Sequence, residues 1–137
     1  MKVFNSEVDY SYKVNFVDEN NVFVGFDAEG QCCEQFGWYI CKTIADTDPN
    51  LINIECVVDD TFPLPHINTV LEGWVFDENF FETIASHNEY EERNIGVFRL
   101  VQGDQSMYLH LYNQHNGYYS HGFSMMRGDE YLHEGHL

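Results

Sequence analysis

Cys32 and Cys33 stand side by side and Glu34 follows them. A thiolate is both a nucleophile and a soft metal ligand, and near neutral pH it forms only beside a base or a positive charge. Seven histidines could supply that neighbour. Two of them, His110 and His121, lie late in the chain in an aromatic stretch with Tyr112 and Tyr119, so cysteine chemistry requires that stretch to fold onto the Cys-Cys-Glu segment. Cys32, Cys33, Glu34, His110, Tyr112, Tyr119 and His121 are accordingly the residues of a cysteine-dependent or metal-dependent reading. The plainer reading of the same residues is buried reduced thiols and packed histidines, the ordinary behaviour of both types in a core. No Cys-x-x-Cys pair, His-Glu-x-x-His sequence or glycine-rich phosphate loop occurs, so no catalytic residue, metal ligand set or cofactor is assigned.

Carboxylates offer a second chemistry. Twenty-three Asp and Glu against six Lys and Arg give a net charge of −17. Such a chain repels phosphate backbones and anionic lipid, because both are recognised through clusters of Lys and Arg. Direct binding to nucleic acid or to a membrane surface is therefore not expected, and attraction to a basic protein is. The densest acidic run is Asp77, Glu78, Glu82, Glu89, Glu91 and Glu92, with no Lys or Arg between them. These six are the candidate partner-binding residues. Their plain alternative is a solvated face that keeps an aromatic-rich chain soluble.

The elements that must position these groups are mostly strands. Asn116 and Gly117 separate two period-2 segments, Ser106–Asn113 and Tyr118–Met126, and Asn-Gly is the preferred centre of a two-residue hairpin turn. In that register Tyr112 opposes His121, His110 opposes Phe123 and Tyr108 opposes Met125 on one face, while Met107, Leu109 and Leu111 share the other. Both faces can pack, which places the hairpin at the centre of a sheet. Alternation also predicts strands over Asp9–Val17, Val22–Phe26, Leu51–Val58, Thr69–Phe76 and Ile95–Gln102. Gln31–Cys41 reads as strand-like, with Gly37 at a bulge or a close backbone approach. Pro63 and Pro65 make Asp59–Asn68 a connection. Asp77 can cap a short helix through Ser86, because Phe80 with Ile84 and Phe81 with Ala85 are spaced by four. The polar tail from Arg127 is expected to fray, and its Arg-Gly-Asp triplet reads as chance.

These elements amount to one domain over residues 1–137: mainly β, an antiparallel sandwich or strongly curved sheet with one short helix. The first residues lack an apolar core long enough for a signal peptide and no segment is long enough to span a bilayer, so a cytoplasmic location is expected.

The Cys32-Cys33-Glu34 segment and the later Leu109-x-Leu111-Tyr112-Asn113-x-x-Asn116-Gly117-Tyr118-Tyr119-Ser120 block resemble a family of small phage and bacterial proteins. The resemblance covers much of Phe23–Phe123, and these two blocks are its specific part. The stretch between Asp59 and Asn94 is longer than the family pattern. The resemblance implies a β-rich fold and a mobile-element origin, and it supplies no activity. Combined with the charge, it leads to the expectation of an acidic inhibitor of a basic nuclease, polymerase or other nucleic-acid-binding defence protein, of the anti-restriction or anti-CRISPR kind, acting as a nucleic-acid mimic. Chemistry at the Cys-Cys-Glu and Asn-Gly-Tyr-Tyr-Ser segments is the alternative.

Overall fold

A computed structural model describes residues 1–9, 11–30, 34–44, 57–58, 64–87, 92–115 and 119–137. In chain order they form β1 (Lys2–Val8), β2 (Ser11–Val17), β3 (Val22–Asp27), β4 (Gln35–Cys41), β5 (Val57–Val58), helix α1 (Leu64–Val70), β6 (Val75–His87), β7 (Glu92–Gln102), β8 (Gln105–His115), β9 (Gly122–Arg127) and β10 (Glu130–His136). The strands make two five-stranded sheets, ordered β1-β2-β3-β9-β10 and β5-β4-β8-β7-β6. Every strand pairing among the described residues is antiparallel. The described residues are mostly strand, in two packed sheets, with one small helix and no closed barrel among them.

Alternation decides what lies between the sheets. Val14, Phe16, Val24, Phe26, Phe123 and Met125 from the first sheet are buried against Trp38, Ile40, Phe98, Leu100, Leu109 and Leu111 from the second. Phe16 meets Trp38 edge to face, with ring centroids 5.0 Å apart, an arrangement that aligns the positive ring edge with the negative face. The second sheet is apolar on its far side as well. Tyr39, Cys41, Ile95, Val97 and Tyr112 form a separate buried cluster there, with Ile44, Phe80, Ile84 and Tyr108 packed against it. Two apolar faces explain why β7 and β8 are rich in hydrophobic residues at both parities.

Strand β8 occupies the centre of its sheet, as its two packable faces predict, but the hairpin does not form. β8 pairs with β4 and β7, whereas β9 crosses to the other sheet and pairs with β3 and β10. Tyr112 therefore lies opposite Gly37 and Ile95, His110 opposite Tyr39 and Val97, and Tyr108 opposite Cys41 and Arg99. Asn116, Gly117 and Tyr118 lie outside the described residues. Local turn chemistry is outweighed by the apolar faces of β4 and β7, which give β8 two long partners. Gly37 provides the close approach: a Cβ there would come within 3.1 Å of the Tyr112 hydroxyl.

Three further expectations are corrected. Val75–His87, which contains the predicted helix, is a 13-residue strand. Phe80 and Phe81 are adjacent, and a strand sends them to opposite faces. A register shift between Phe76 and Phe81 lets Phe81 enter the core beside Phe98 and Phe123, while Phe80 lies under Arg99. The helix forms instead at Leu64–Val70, where Pro65 sits in the first turn and removes no intrahelical bond; residues 69–70, read as the start of a strand, end it. Ile67 and Leu71 are spaced by four and both are buried, and Asn68 Oδ1 accepts the backbone N–H of Val3 at 2.6 Å. The tail is no frayed end, because β10 pairs along β9 and Leu137 is buried in the core. Of the strand expected over Leu51–Val58, residues 51–56 lie outside the described ones and Val57–Val58 form β5.

One buried carboxylate joins the sheets. Asp18, at the β2–β3 turn, accepts the backbone N–H of Asn20 at 2.8 Å and of Val22 at 2.9 Å through Oδ1, and that of Phe76 at 2.9 Å through Oδ2. Replacing it by Ala orphans those donors, at least two of them buried. We expect Asp18→Ala to lose about 3 kcal/mol of unfolding free energy, read as a lowered urea midpoint, and Asp18→Asn to lose less. An Asp18→Ala midpoint equal to that of the parent chain would show that the contact contributes nothing.

Candidate functional site

Glu34, the last residue of the Cys-Cys-Glu segment, meets His121, which follows the Asn-Gly-Tyr-Tyr-Ser block. The chain changes sheet between β3 and β4 and again between β8 and β9, and Glu34 stands in the first crossing while His121 closes the second. His121 Nε2 lies 3.1 Å from Glu34 Oε2, both side chains being buried, and its Nδ1 donates to the backbone oxygen of Asp27 at 2.7 Å. With Nδ1 carrying that proton, one further proton between Nε2 and the carboxyl closes the contact. Phe36 stacks on the imidazole at 4.3 Å. Cys32 and Cys33 lie outside the described residues.

Both nitrogens of His121 are engaged, so the ring has no free lone pair for a metal or a substrate proton. Its role is to fasten one crossing to the other. Asn113, fully buried, continues the seam: its Nδ2 donates to the carbonyls of Tyr119 at 2.8 Å and of Leu137 at 3.0 Å. His110 and Tyr112 are elsewhere, on the far side of the β4–β8 sheet. His110 stacks on Tyr39 at 4.6 Å, its nitrogens 3.2 Å from the carbonyls of Tyr108 and Ile44. Tyr112 packs on Tyr39 and under the guanidinium of Arg93. Of the seven residues of the cysteine or metal reading, the structure joins Glu34 to His121, reaches Tyr119 through Asn113, and separates His110 and Tyr112. Among the described residues no three His, Cys, Asp or Glu side chains converge.

The acidic run divides in a similar way. Asp77 forms a hydrogen-bonded ion pair with Arg99. Glu78 holds Arg127 at 2.8 Å, and its backbone oxygen accepts from His133 Nε2 at 3.1 Å. These contacts fasten the early part of β6 to β7, β9 and β10, closing one side of the sandwich. Arg127 also contacts Glu130 at 3.2 Å, which engages the arginine of the Arg-Gly-Asp triplet with carboxylates of its own chain. Glu82 is exposed on β6, and Glu92, at the start of β7, lies 3.7 Å from His87. Glu89 and Glu91 fall outside the described residues. The carboxylates that face outward most freely from the predicted set are therefore on the late half of the β6–β7 ribbon. Sequence pattern does not reveal that β6 is an edge strand; the signal it does carry is a second periodicity, Phe80-Glu82-Ile84 against Phe81-Thr83-Ala85.

No protein family, curated protein or solved structure matches this chain.

Two measurements test these assignments. Glu34→Ala and His121→Ala should each lower stability by about 3 kcal/mol, and the double variant should lose clearly less than their sum; full additivity in urea melts would mean the pair is not coupled. The Arg99 hydrogen bond holds the Asp77 carboxyl below its ordinary value of 3.8. A depressed folded-state value stabilises the fold above the unfolded value and ceases to do so as pH falls through the folded one. The stability difference between the parent chain and Asp77→Asn should thus be largest near neutral pH and shrink below about pH 4. A difference that stays constant down to acid denaturation would contradict the assignment.

Proposed function

We propose that this chain is a small acidic interaction protein that binds a basic, nucleic-acid-binding protein and so inhibits it, with the β6 edge as the strip on which the partner docks. The observation that carries this reading is the combination of a 13-residue edge strand with a net charge of −17. An edge strand presents a row of backbone donors and acceptors on one side, and proteins ordinarily shorten, bulge or cover such rows. Here the bulge lies early, between Phe76 and Phe81, and the later residues Glu82, Thr83, Ala85, Ser86 and His87 are exposed along an uninterrupted pairing with β7. Lys13, Arg99 and Arg127 are engaged by Asp27, Asp77 and Glu78, so the excess carboxylates remain to attract a basic surface. Association of this kind is fast and falls with ionic strength. A phage-type or mobile-element inhibitor of a nuclease or polymerase, acting in the cytoplasm as a nucleic-acid mimic, fits these properties.

A second reading, metal- or cysteine-dependent chemistry at the Cys-Cys-Glu and Asn-Gly-Tyr-Tyr-Ser segments, is favoured by the meeting of Glu34 with His121. It requires Cys32 and Cys33, so Cys32→Ser with Cys33→Ser separates the two: the first reading predicts unchanged partner binding, the second a loss of activity.

The direct test is capture from a host lysate at low salt and at about 0.5 M salt, followed by the binding constant of the purified partner. Glu82→Gln with Glu92→Gln should weaken that complex about tenfold without changing the circular dichroism spectrum, and added duplex DNA should compete. A partner that binds equally well to the double variant, at either salt, would remove the β6–β7 ribbon from the mechanism.

A further inference from the structure

The outer face of the first sheet, turned away from the core, is not flat. Alternation sends Lys13, Gly25, Asp27, Gly122, Ser124 and Glu134 to this face, and the ladder places small residues in its middle. Gly25 lies between Asn15 and Ser124, Ser124 between Gly25 and Glu134, and Gly122 beside His136. The missing side chains leave a cleft of about 560 Å³ over β2, β3, β9 and β10, within the range of small-molecule sites. The glycines are dictated by their neighbours. A Cβ on Gly25 would come to 2.9 Å from the Phe23 ring, and one on Gly122 to 2.7 Å from Asp27 Oδ2, so both side chains lie low across the sheet and shape the trough.

The polar groups around it specify the ligand. Lys13, Asp27, Ser124, Tyr131, Glu134 and His136 all line the cleft, which supplies donors and acceptors together and excludes an apolar guest, whose burial would desolvate them without replacement. Lys13 Nζ lies 3.0 Å from Asp27 Oδ1, so this carboxylate already holds a cation, and a second cation would have Glu134 as the single remaining carboxylate of the lining. An anionic guest is opposed by the charge of the whole chain. Tyr131 is 59% exposed at the wall of the cleft, on the outermost strand β10. A large aromatic ring held in water beside a cleft has an electron-rich face open to an amphipathic guest. A neutral sugar answers to all four conditions: it is uncharged, its hydroxyls both donate and accept, and the C–H-rich face of a pyranose ring is apolar with partial positive charge.

We propose that this cleft is a binding site for a short neutral oligosaccharide, stacked on Tyr131 and hydrogen-bonded by the Lys13–Asp27 pair, Ser124, Glu134 and His136. The site is separate from the β6 edge and stands whether or not that edge binds a basic partner.

The test uses the full chain on an array of neutral gluco-, manno-, galacto- and N-acetylglucosamine oligomers, with titration calorimetry of any sugar retained. Support would be millimolar or tighter affinity, unchanged between low salt and about 0.5 M salt, reduced at least about tenfold by Tyr131→Ala and abolished by Ser124→Phe, which fills the trough. Both variants should keep the parent melting temperature; should Ser124→Phe not fold, Tyr131→Ala and Asp27→Asn carry the same comparison. No neutral sugar retained at about 10 mM overturns the proposal. So does sugar binding that these substitutions leave unchanged, or saturable binding of spermidine in the same cleft that salt displaces.

Discussion

Three backbone N–H groups from two sheets converge on the carboxylate of Asp18. Two of them belong to its own turn and the third to Phe76 at the start of β6, so the contact fixes the order in which the sheets can lie. Hydrophobic burial presses the two faces together without selecting a relative orientation; a buried acceptor with directed donors selects one. Once the β2–β3 turn is bound to Phe76, the bulge that follows can bring Glu78 to Arg127 and His133, and Phe81 can drop between Phe98 and Phe123. The long edge strand on which the proposed partner docks is aligned by this one group.

Charge in this protein acts at two levels. Near the joints of the fold, three basic residues are placed against carboxylates: Lys13 at Asp27, Arg99 at Asp77, and Arg127 between Glu78 and Glu130. These partly exposed pairs contribute little stability each. Elsewhere the carboxylates outnumber their partners, and the resulting field is long-ranged at low salt. Such a field favours the basic partner proposed above over a polyanion, while the neutral guest proposed for the cleft on the first sheet would be indifferent to it.

The parts of this arrangement visible in the sequence are those decided by side-chain alternation. The strands β2, β3, β7 and β8, the two packable faces of β8, and a close approach at Gly37 follow from local pattern alone; that Tyr112 is the residue approaching it does not. The hairpin does not follow, because a turn signal states how two strands would be joined, not whether either has a better partner; β4 and β7 supply β8 with two. Nor does the position of the helix, because a spacing of four between Phe80 and Ile84 also fits alternate positions of a strand, and burial decides between them. The proline at position 65 has the character of a breaker and serves in a first turn. The cleft is not legible at all, because its floor joins Gly25, Gly122 and Ser124 across β3 and β9, and that register is known only once β9 has left β8.

The Cys-Cys-Glu and Asn-Gly-Tyr-Tyr-Ser blocks look like chemistry in the sequence because they gather reactive residue types. Their position in the fold gives another reason for those residues. A chain that lays down three strands of one sheet, builds the whole of the second and then returns must cross the sandwich twice. Glu34 and His121 bind the crossings to each other, and His121 also donates to the carbonyl of Asp27 as β3 ends. Asn113, near the end of β8, donates to the carbonyls of Tyr119 and Leu137. A buried His-Glu pair and a buried Asn are costly where their polar groups lack partners; the backbone supplies partners for His121 Nδ1 and Asn113 Nδ2, while Asn113 Oδ1 has none among the described residues. Glu34 and His121, two of the residues that invite a catalytic interpretation, stand where one continuous chain leaves its first sheet and returns to it.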